Sequence, residues 1–251
     1  MNPSSDRNII LQERDYRILD FLRSQGFATF WQLQTLFFKS EDSCGLRLRA
    51  LARGKYLEST TANLFFKEAG KRFSSILLGL NIHPLTKIYT LSSVFRRQVS
   101  ETNRLLKYDL CLHQLMLNDV RINLDHHITG YRLVLNDPQL KTWSIIDPGR
   151  RHEFTPDLSY ESKNYSIAIE LERTVKSLRR YMDRFGYYQS SVYTHVLYVY
   201  TAESHLATLL KYAGNSRRFA FAHYLKPNEV FSNVWGHMEI NDWIKKLSSV
   251  S

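Results

Sequence analysis

The run Tyr165-Ser-Ile-Ala-Ile-Glu-Leu-Glu172 constrains this chain more than any other segment. Its alternating isoleucines predict a strand, and that strand ends in two carboxylates one residue apart. Strand side chains alternate faces, so Glu170 and Glu172 share one. Adjacent carboxylates at the end of an apolar strand raise each other's pKa unless a cation neutralises them. A basic segment follows at once, with Arg173, Lys176, Arg179, Arg180 and Arg184, and Pro156-Asp157 precedes the strand. Two neutralising arrangements are open. Asp157, Glu170 and Glu172 can hold a hard divalent ion, Mg²⁺ or Mn²⁺, beside a phosphodiester. Lys176 or Arg180 would then steady charge developing on that phosphate. Alternatively, the carboxylates simply pair with the basic helix.

Around this strand the second half alternates strands and helices. Strands are expected at Leu124–Leu135, Trp143–Ile146, Tyr165–Glu172, His195–Tyr200 and Phe219–His223. Helices are expected at Val175–Tyr188, Ala202–Ala213 (closed by Gly214) and Asn241–Leu247. That order predicts a mostly parallel or mixed sheet covered on both faces. The helix over 175–188 is assigned the core stripe Val175, Leu178, Met182 and Phe185. At about 100° per residue, Tyr181 falls about 80° from that stripe, at the border of the buried face. Lys176 falls about 140° from both the stripe and Tyr181.

The first half reads differently. Helices are expected over Arg14–Ser24, Thr29–Phe37 and Glu41–Arg53, then short strands over Tyr56–Thr61 and Lys87–Leu91. Three helices and a hairpin are the layout of a winged helix-turn-helix, whose third helix enters the major groove. Opposite Leu48 and Leu51 the third helix carries Arg47, Arg49 and Arg53, which either contact DNA or merely solvate that side. Lys67, Lys71 and Arg72 lie between the strands, where a wing contacts phosphates. A connecting helix is expected over 96–124, with Leu105, Leu112, Leu115, Met116 and Val120 as its stripe. The expected division is therefore 1–95, a DNA-binding domain, and 96–251, an α/β domain.

Charge agrees with this. Lys and Arg number 34 against 24 Asp and Glu, a net +10, which favours a polyanion. Cys44 and Cys111 are too few for a disulfide scaffold or a zinc cage. The chain has no apolar run long enough to cross a membrane and no apolar leader, so a cytoplasmic protein without membrane insertion is expected.

Asp157…Glu170-Leu-Glu172 resembles the PD-(D/E)xK motif of restriction endonucleases, with Glu172 at the lysine position and Lys176 as a relocated lysine. A winged-helix start joined to Pro156-Asp157, Glu170-Leu-Glu-Arg-Thr174, Lys176-Ser177 and Arg180-Tyr181 resembles the MOBC family of conjugative relaxases. MobC-type plasmid mobilisation proteins and the replication–relaxation proteins share this arrangement. The resemblance implies an α+β/α/β chain with a restriction-endonuclease-like second domain. It implies a metal-dependent nickase at a plasmid origin of transfer that meets both duplex and single-stranded DNA. Asp157, Glu170 and Glu172 would hold the metal, and Lys176 and Arg180 would contact the scissile phosphate. Arg173, Arg179 and Arg184 would bind the strand. An auxiliary mobilisation protein and a type IV coupling protein are the implied partners.

Three roles stay open for Tyr181: nucleophile, bystander to an attacking metal-bound water, or stacking platform for a base. Two other functions also stay open, a non-catalytic replication or transcription regulator and a double-strand nuclease.

Overall fold

The computed structural model describes residues 9–68, 82–98, 108–128, 132–134, 156–163 and 165–248. They form a mixed α/β structure in two units that divide between Ile122 and Asn123.

In the first unit, local chemistry sets the helix ends. Helix α1 (Glu13–Gln25) starts where the Gln12 N–H donates to Asp15, at 2.7 Å, and stops at Gly26, whose φ of +84° suits glycine. Strand β1 (Phe27–Thr29) leads into α2 (Phe30–Phe37). There the Gln32 N–H donates to the Thr29 hydroxyl at 3.2 Å, and the Gln32 side chain accepts from the Thr29 N–H at 3.0 Å. Ser40 caps α3 (Glu41–Arg53), and Gly54 follows it. Then come β2 (Leu57–Thr61), α4 (Ala62–Glu68), β3 (Lys87–Leu91), α5 (Ser93–Gln98) and α6 (Tyr108–His127). The strands form an antiparallel sheet in the order β1-β3-β2. Ile18, Leu22, Leu33, Leu48, Leu51 and Leu57 fill the core beneath it.

The three expected helices and two strands stand where the sequence places them, while β1 and α4 were not foreseen. Lys67 is exposed on α4, and Lys71 and Arg72 lie outside the described residues. Of the helix expected over 96–124, residues 96–98 lie in α5 and 108–124 in α6, and Leu105 lies outside the described residues. Helix α6 carries the expected buried stripe of Leu112, Leu115, Met116 and Val120.

That stripe also corrects the second half. Leu124 and Ile128 continue it at four-residue spacing and are buried, so residues 124–127 finish α6 rather than begin a strand. Adjacent His126 and His127 are therefore helical neighbours. Of the strand expected over 124–135, β4 (Arg132–Val134) forms, and the strand expected over 143–146 lies outside the described residues. The second unit continues through β5 (Leu158–Glu161), β6 (Ser166–Glu172), α7 (Leu178–Ser190), β7 (His195–Tyr200) and α8 (Glu203–Ala213). It ends with β8 (Phe219–His223), β9 (Glu229–Ser232), β10 (Gly236–Glu239) and α9 (Ile240–Ser248). The seven strands run β10-β9-β8-β7-β6-β5-β4. Neighbours β6, β7 and β8 are parallel, and the outer pairs are antiparallel. Among the described residues no helix is long and apolar enough to cross a membrane.

Helix α7 buries Phe185 of the expected stripe but otherwise turns a different face to the sheet. Tyr181, Phe185 and Tyr188 are buried against Ala168, Val196 and Tyr198. Val175, which precedes the helix, and Leu178 and Met182 within it are each more than half exposed. Tyrosine rings bury as readily as leucine once their hydroxyls find partners, and both of these do. Leu178→Ser should therefore change unfolding free energy by only about 0.5 kcal/mol in a urea melt, as at an ordinary surface position. A loss near the 2–5 kcal/mol typical of a buried leucine would restore the apolar stripe as the packed face.

Candidate functional site

Strand β6 is buried along its length, and its last residues bring the sequence-predicted carboxylates together. Glu170 and Glu172 are 1% and 2% exposed. In the parallel register they lie beside Tyr198 and Tyr200 of β7. Asp157 precedes β5, and the antiparallel β5–β6 register carries it to the same end. There it accepts from the Leu171 backbone N–H at 2.8 Å.

Each buried glutamate has a cation. Arg184 of α7 reaches Glu170 at 2.6 Å, and the Tyr188 hydroxyl donates to the other Glu170 oxygen. Lys176 lies 3.0 Å from Glu172. Burial works to lower the Arg184 pKa, but the carboxylates of Glu170 and Asp157 outweigh it and raise it, so Arg184 stays charged. Burial, then Glu170, pushes the Tyr188 hydroxyl well above its ordinary range, so Tyr188 keeps its proton and remains a donor. The Tyr198 hydroxyl, fully buried beside Glu170, has no hydrogen-bond partner, and burial raises its pKa as well.

The start of α7 resolves the angular separation of Lys176 and Tyr181. Residues 175–177 lie outside the helix, which Ser177 caps, so helical arithmetic does not apply to Lys176. The Lys176 backbone N–H donates to the Tyr181 hydroxyl at 3.1 Å. Tyr181 itself is 2% exposed and stacks on Tyr212 at 5.5 Å between ring centres. Burial raises its pKa, only partly offset by the Lys176 N–H. Arg179 and Arg180 are exposed and Arg173 is half-buried, with its carbonyl accepting from Thr201.

Two members of the cluster had no expected role there. Arg184 was expected on the strand path and instead neutralises Glu170. His205 of α8, 7% exposed, sets its Nδ1 3.3 Å from the Glu172 carbonyl oxygen. The signal for Arg184 was its helical phase, three residues after Tyr181 and four before Tyr188. For His205 the sequence carries no such signal.

As arranged, the carboxylates do not fit a resident Mg²⁺ or Mn²⁺. Both Glu170 oxygens are engaged, one Asp157 oxygen accepts from the Leu171 N–H, and one Glu172 oxygen lies against Lys176. Among the described residues no group of three or more His, Cys, Asp or Glu side chains is spaced to hold a metal ion. What the arrangement supplies is a buried carboxylate cluster whose charge is balanced by an arginine and a lysine.

A family model described as replication-relaxation matches residues 19–199. The chain belongs to the replication-relaxation family. That description places it in the handling of DNA during replication and relaxation. The match takes in Asp157, Glu170, Glu172, Lys176 and Arg184 together with α2 and α3 of the first unit, and it stops short of His205. No curated protein and no solved structure matches the chain.

In the first unit the replication-relaxation chain separates the three arginines of α3. Arg49 and Arg53 are exposed. Arg47 is turned to α1, where its Nε donates to Asp15 at 2.9 Å and its Nη2 to the Ile10 carbonyl at 2.8 Å. It holds the unit together and does not share the outer side of α3.

Proposed function

We propose that the protein is a relaxase of the MOBC type, which binds duplex DNA through its first unit and nicks one strand at its second. The observation that carries this reading is the meeting of Asp157, Glu170, Glu172 and Lys176 at the carboxyl end of β6, inside the stretch that matches the replication-relaxation family. Ligand sites of α/β sheets lie at the carboxyl ends of parallel strands, which is where β6 and β7 end side by side. The first unit supports the DNA-binding half: helices α1 to α3 and an antiparallel β2–β3 pair are the parts of a winged helix. Arg49 and Arg53 provide its positive outer side. An origin of transfer on a plasmid is then the substrate, with an auxiliary mobilisation protein and a coupling protein as partners.

Within this site Lys176 is the residue best placed to meet a phosphate. Its side chain is 22% exposed, and its backbone is anchored to Tyr181. Tyr181 is buried with its hydroxyl occupied, which supports scission without a tyrosyl adduct. The restriction-endonuclease resemblance adds divalent-ion dependence, which the EDTA arm of the test below decides. The cation beside each glutamate favours a second reading, a sequence-specific DNA-binding regulator that does not cut.

The test incubates full-length protein with supercoiled plasmid carrying the DNA around its gene, in Mg²⁺, Mn²⁺ or EDTA. Products are separated after denaturation with and without protease. Wild type is expected to give open circles with free 5′ ends in the divalent ions, and Tyr181→Phe the same. Lys176→Met should lower nicking at least about 100-fold, as loss of one charge-stabilising donor does. Its duplex footprint should be unchanged. Footprinting without nicking in every condition would replace the relaxase with the regulator, and linear product would replace it with a double-strand nuclease.

A further inference from the structure

The outer side of α3 carries two residue choices that folding does not explain. Gly45 stands inside the helix, where glycine is more destabilising than any residue but proline. A methyl group there would meet only ordinary contacts, the nearest being Arg49 Nη1 at 3.7 Å and Phe30 Cε2 at 4.0 Å. No close packing needs the glycine, and alanine would fit. Beside it Leu46 is 62% exposed, an apolar side chain left in water on a helix that already buries Cys44, Leu48 and Leu51.

These two share an arc with three charged residues. At about 100° per residue, Gly45, Arg49, Asp42, Arg53 and Leu46 fall within about 100° of one another. Asp42, Arg49 and Arg53 are all exposed. One arc thus offers a carboxylate acceptor, an aliphatic surface, a forked double donor and a second cation, around a backbone stripped of its side chain. A uniform phosphate-binding patch would not include Asp42 or Leu46. Base edges in the major groove present this mixture: the cytosine amino donor, the thymine methyl, and the paired acceptors of guanine.

We propose that this arc is the sequence-reading surface of the protein. Gly45 lets the helix backbone approach the duplex. Asp42 reads cytosine, Leu46 packs on a thymine methyl, Arg49 takes guanine, and Arg53 holds a phosphate. The inference rests on the proposed DNA-binding role of the first unit and adds which bases it prefers and why.

The test selects preferred sites from a randomised duplex pool with the full-length protein. It then measures affinity for the selected duplex, a scrambled duplex, and the selected duplex with deoxyuridine for thymidine. Gly45→Ala should raise the melting temperature by about 3 °C, because alanine is the better helix former. The same variant should bind the selected duplex at least about tenfold more weakly, a single-position loss of the size one wrong base pair causes. Opposite signs in one variant exclude misfolding as the cause. Arg49→Ala should lose about tenfold or more and relax the preference for guanine. Deoxyuridine should weaken wild type about fourfold for one methyl and leave Leu46→Ala unaffected. Arg53→Ala should weaken selected and scrambled duplexes alike and lower the salt slope by about one. Wild-type affinity for the selected duplex in Gly45→Ala and Arg49→Ala would overturn the reading surface while leaving DNA binding in place. A pool in which wild type enriches no sequence would overturn both this proposal and the role of the first unit on which it rests.

Discussion

Arg184→Met is expected to remove about 3–5 kcal/mol of stability at neutral pH, the largest loss for any single substitution in the second unit's polar cluster. Arg184 is the cation that allows Glu170 to stay charged at 1% exposure. Methionine keeps the length and apolar stem of arginine but leaves the carboxylate in a poorly solvated site, with the Tyr188 hydroxyl against it and the guanidinium gone. The experiment is urea unfolding of the full chain followed by circular dichroism, with Glu170→Gln and the double variant alongside. A neutral amide at 170 needs no cation, so adding Glu170→Gln to Arg184→Met should recover most of the loss. The two substitutions together should lie within about 2 kcal/mol of wild type, since replacing a whole buried pair is far milder than breaking it. A loss below about 1 kcal/mol in Arg184→Met, or additive losses in the double variant, would show that the two charges do not depend on each other. The outcome also bears on function. A strong coupling means that any cation acting at Glu170 has to compete with a resident guanidinium.

Periodicity and end signals made much of the fold legible. Helix α3 runs over the residues expected of it because Ser40 and Gly54 mark its ends, and β6 follows its isoleucine alternation. The parallel β6-β7-β8 core follows from strands separated by helices. Three features escaped for physical reasons. Hydropathy ranks Val175, Leu178 and Met182 above Tyr181 and Tyr188, yet a tyrosine buries well when its hydroxyl is satisfied, and that satisfaction lies in another element or a non-helical turn. Leu124 fits a strand when read forward to Leu135 and a helix when read back to Val120, and the packed stripe decides for the helix. Arg47 was grouped with Arg49 by composition, although two residues on a helix stand about 200° apart, so one faces α1 when the other faces water. The candidate site shows the same limit. Glu170 and Glu172 sharing a face was readable from strand geometry. That Arg184 and Lys176 take one glutamate each, and that Asp157 reaches Leu171, depends on helix phase and sheet register.

Arg47→Met should be nearly as damaging in the first unit, at about 3–4 kcal/mol near neutral pH, and its pH dependence should run opposite to that of wild type. Asp15 is fully buried, between the Gln12 N–H and the Arg47 guanidinium, which also reaches the Ile10 carbonyl. Burial pushes the Asp15 carboxyl up, but Arg47 and the Gln12 N–H outweigh it and hold the carboxyl below its ordinary value of 3.8. A carboxylate depressed in the folded state contributes stability that is present above its unfolded pKa and lost as pH falls through the folded one. Wild type should therefore keep this contribution from neutral pH down to about 4 and lose it below. Arg47→Met removes both the hydrogen bond and the charge of Arg47, leaving only the Gln12 N–H and the Arg14 charge against burial, the largest influence, and the Asp15 carboxyl is expected to rise above its ordinary value. The folded variant then binds a proton more readily than the unfolded chain, so it gains stability as pH falls from 7 toward 4. The gap between wild type and Arg47→Met in urea melts should accordingly narrow across that interval, and Asp15→Asn added to Arg47→Met should remove the narrowing. A gap that stays constant from pH 7 to 4 would mean that Asp15 carries no buried charge for Arg47 to neutralise. The outer arc of α3 is on the far side of the helix from Arg47, so the loss should appear in stability and not in which DNA sequence the protein prefers.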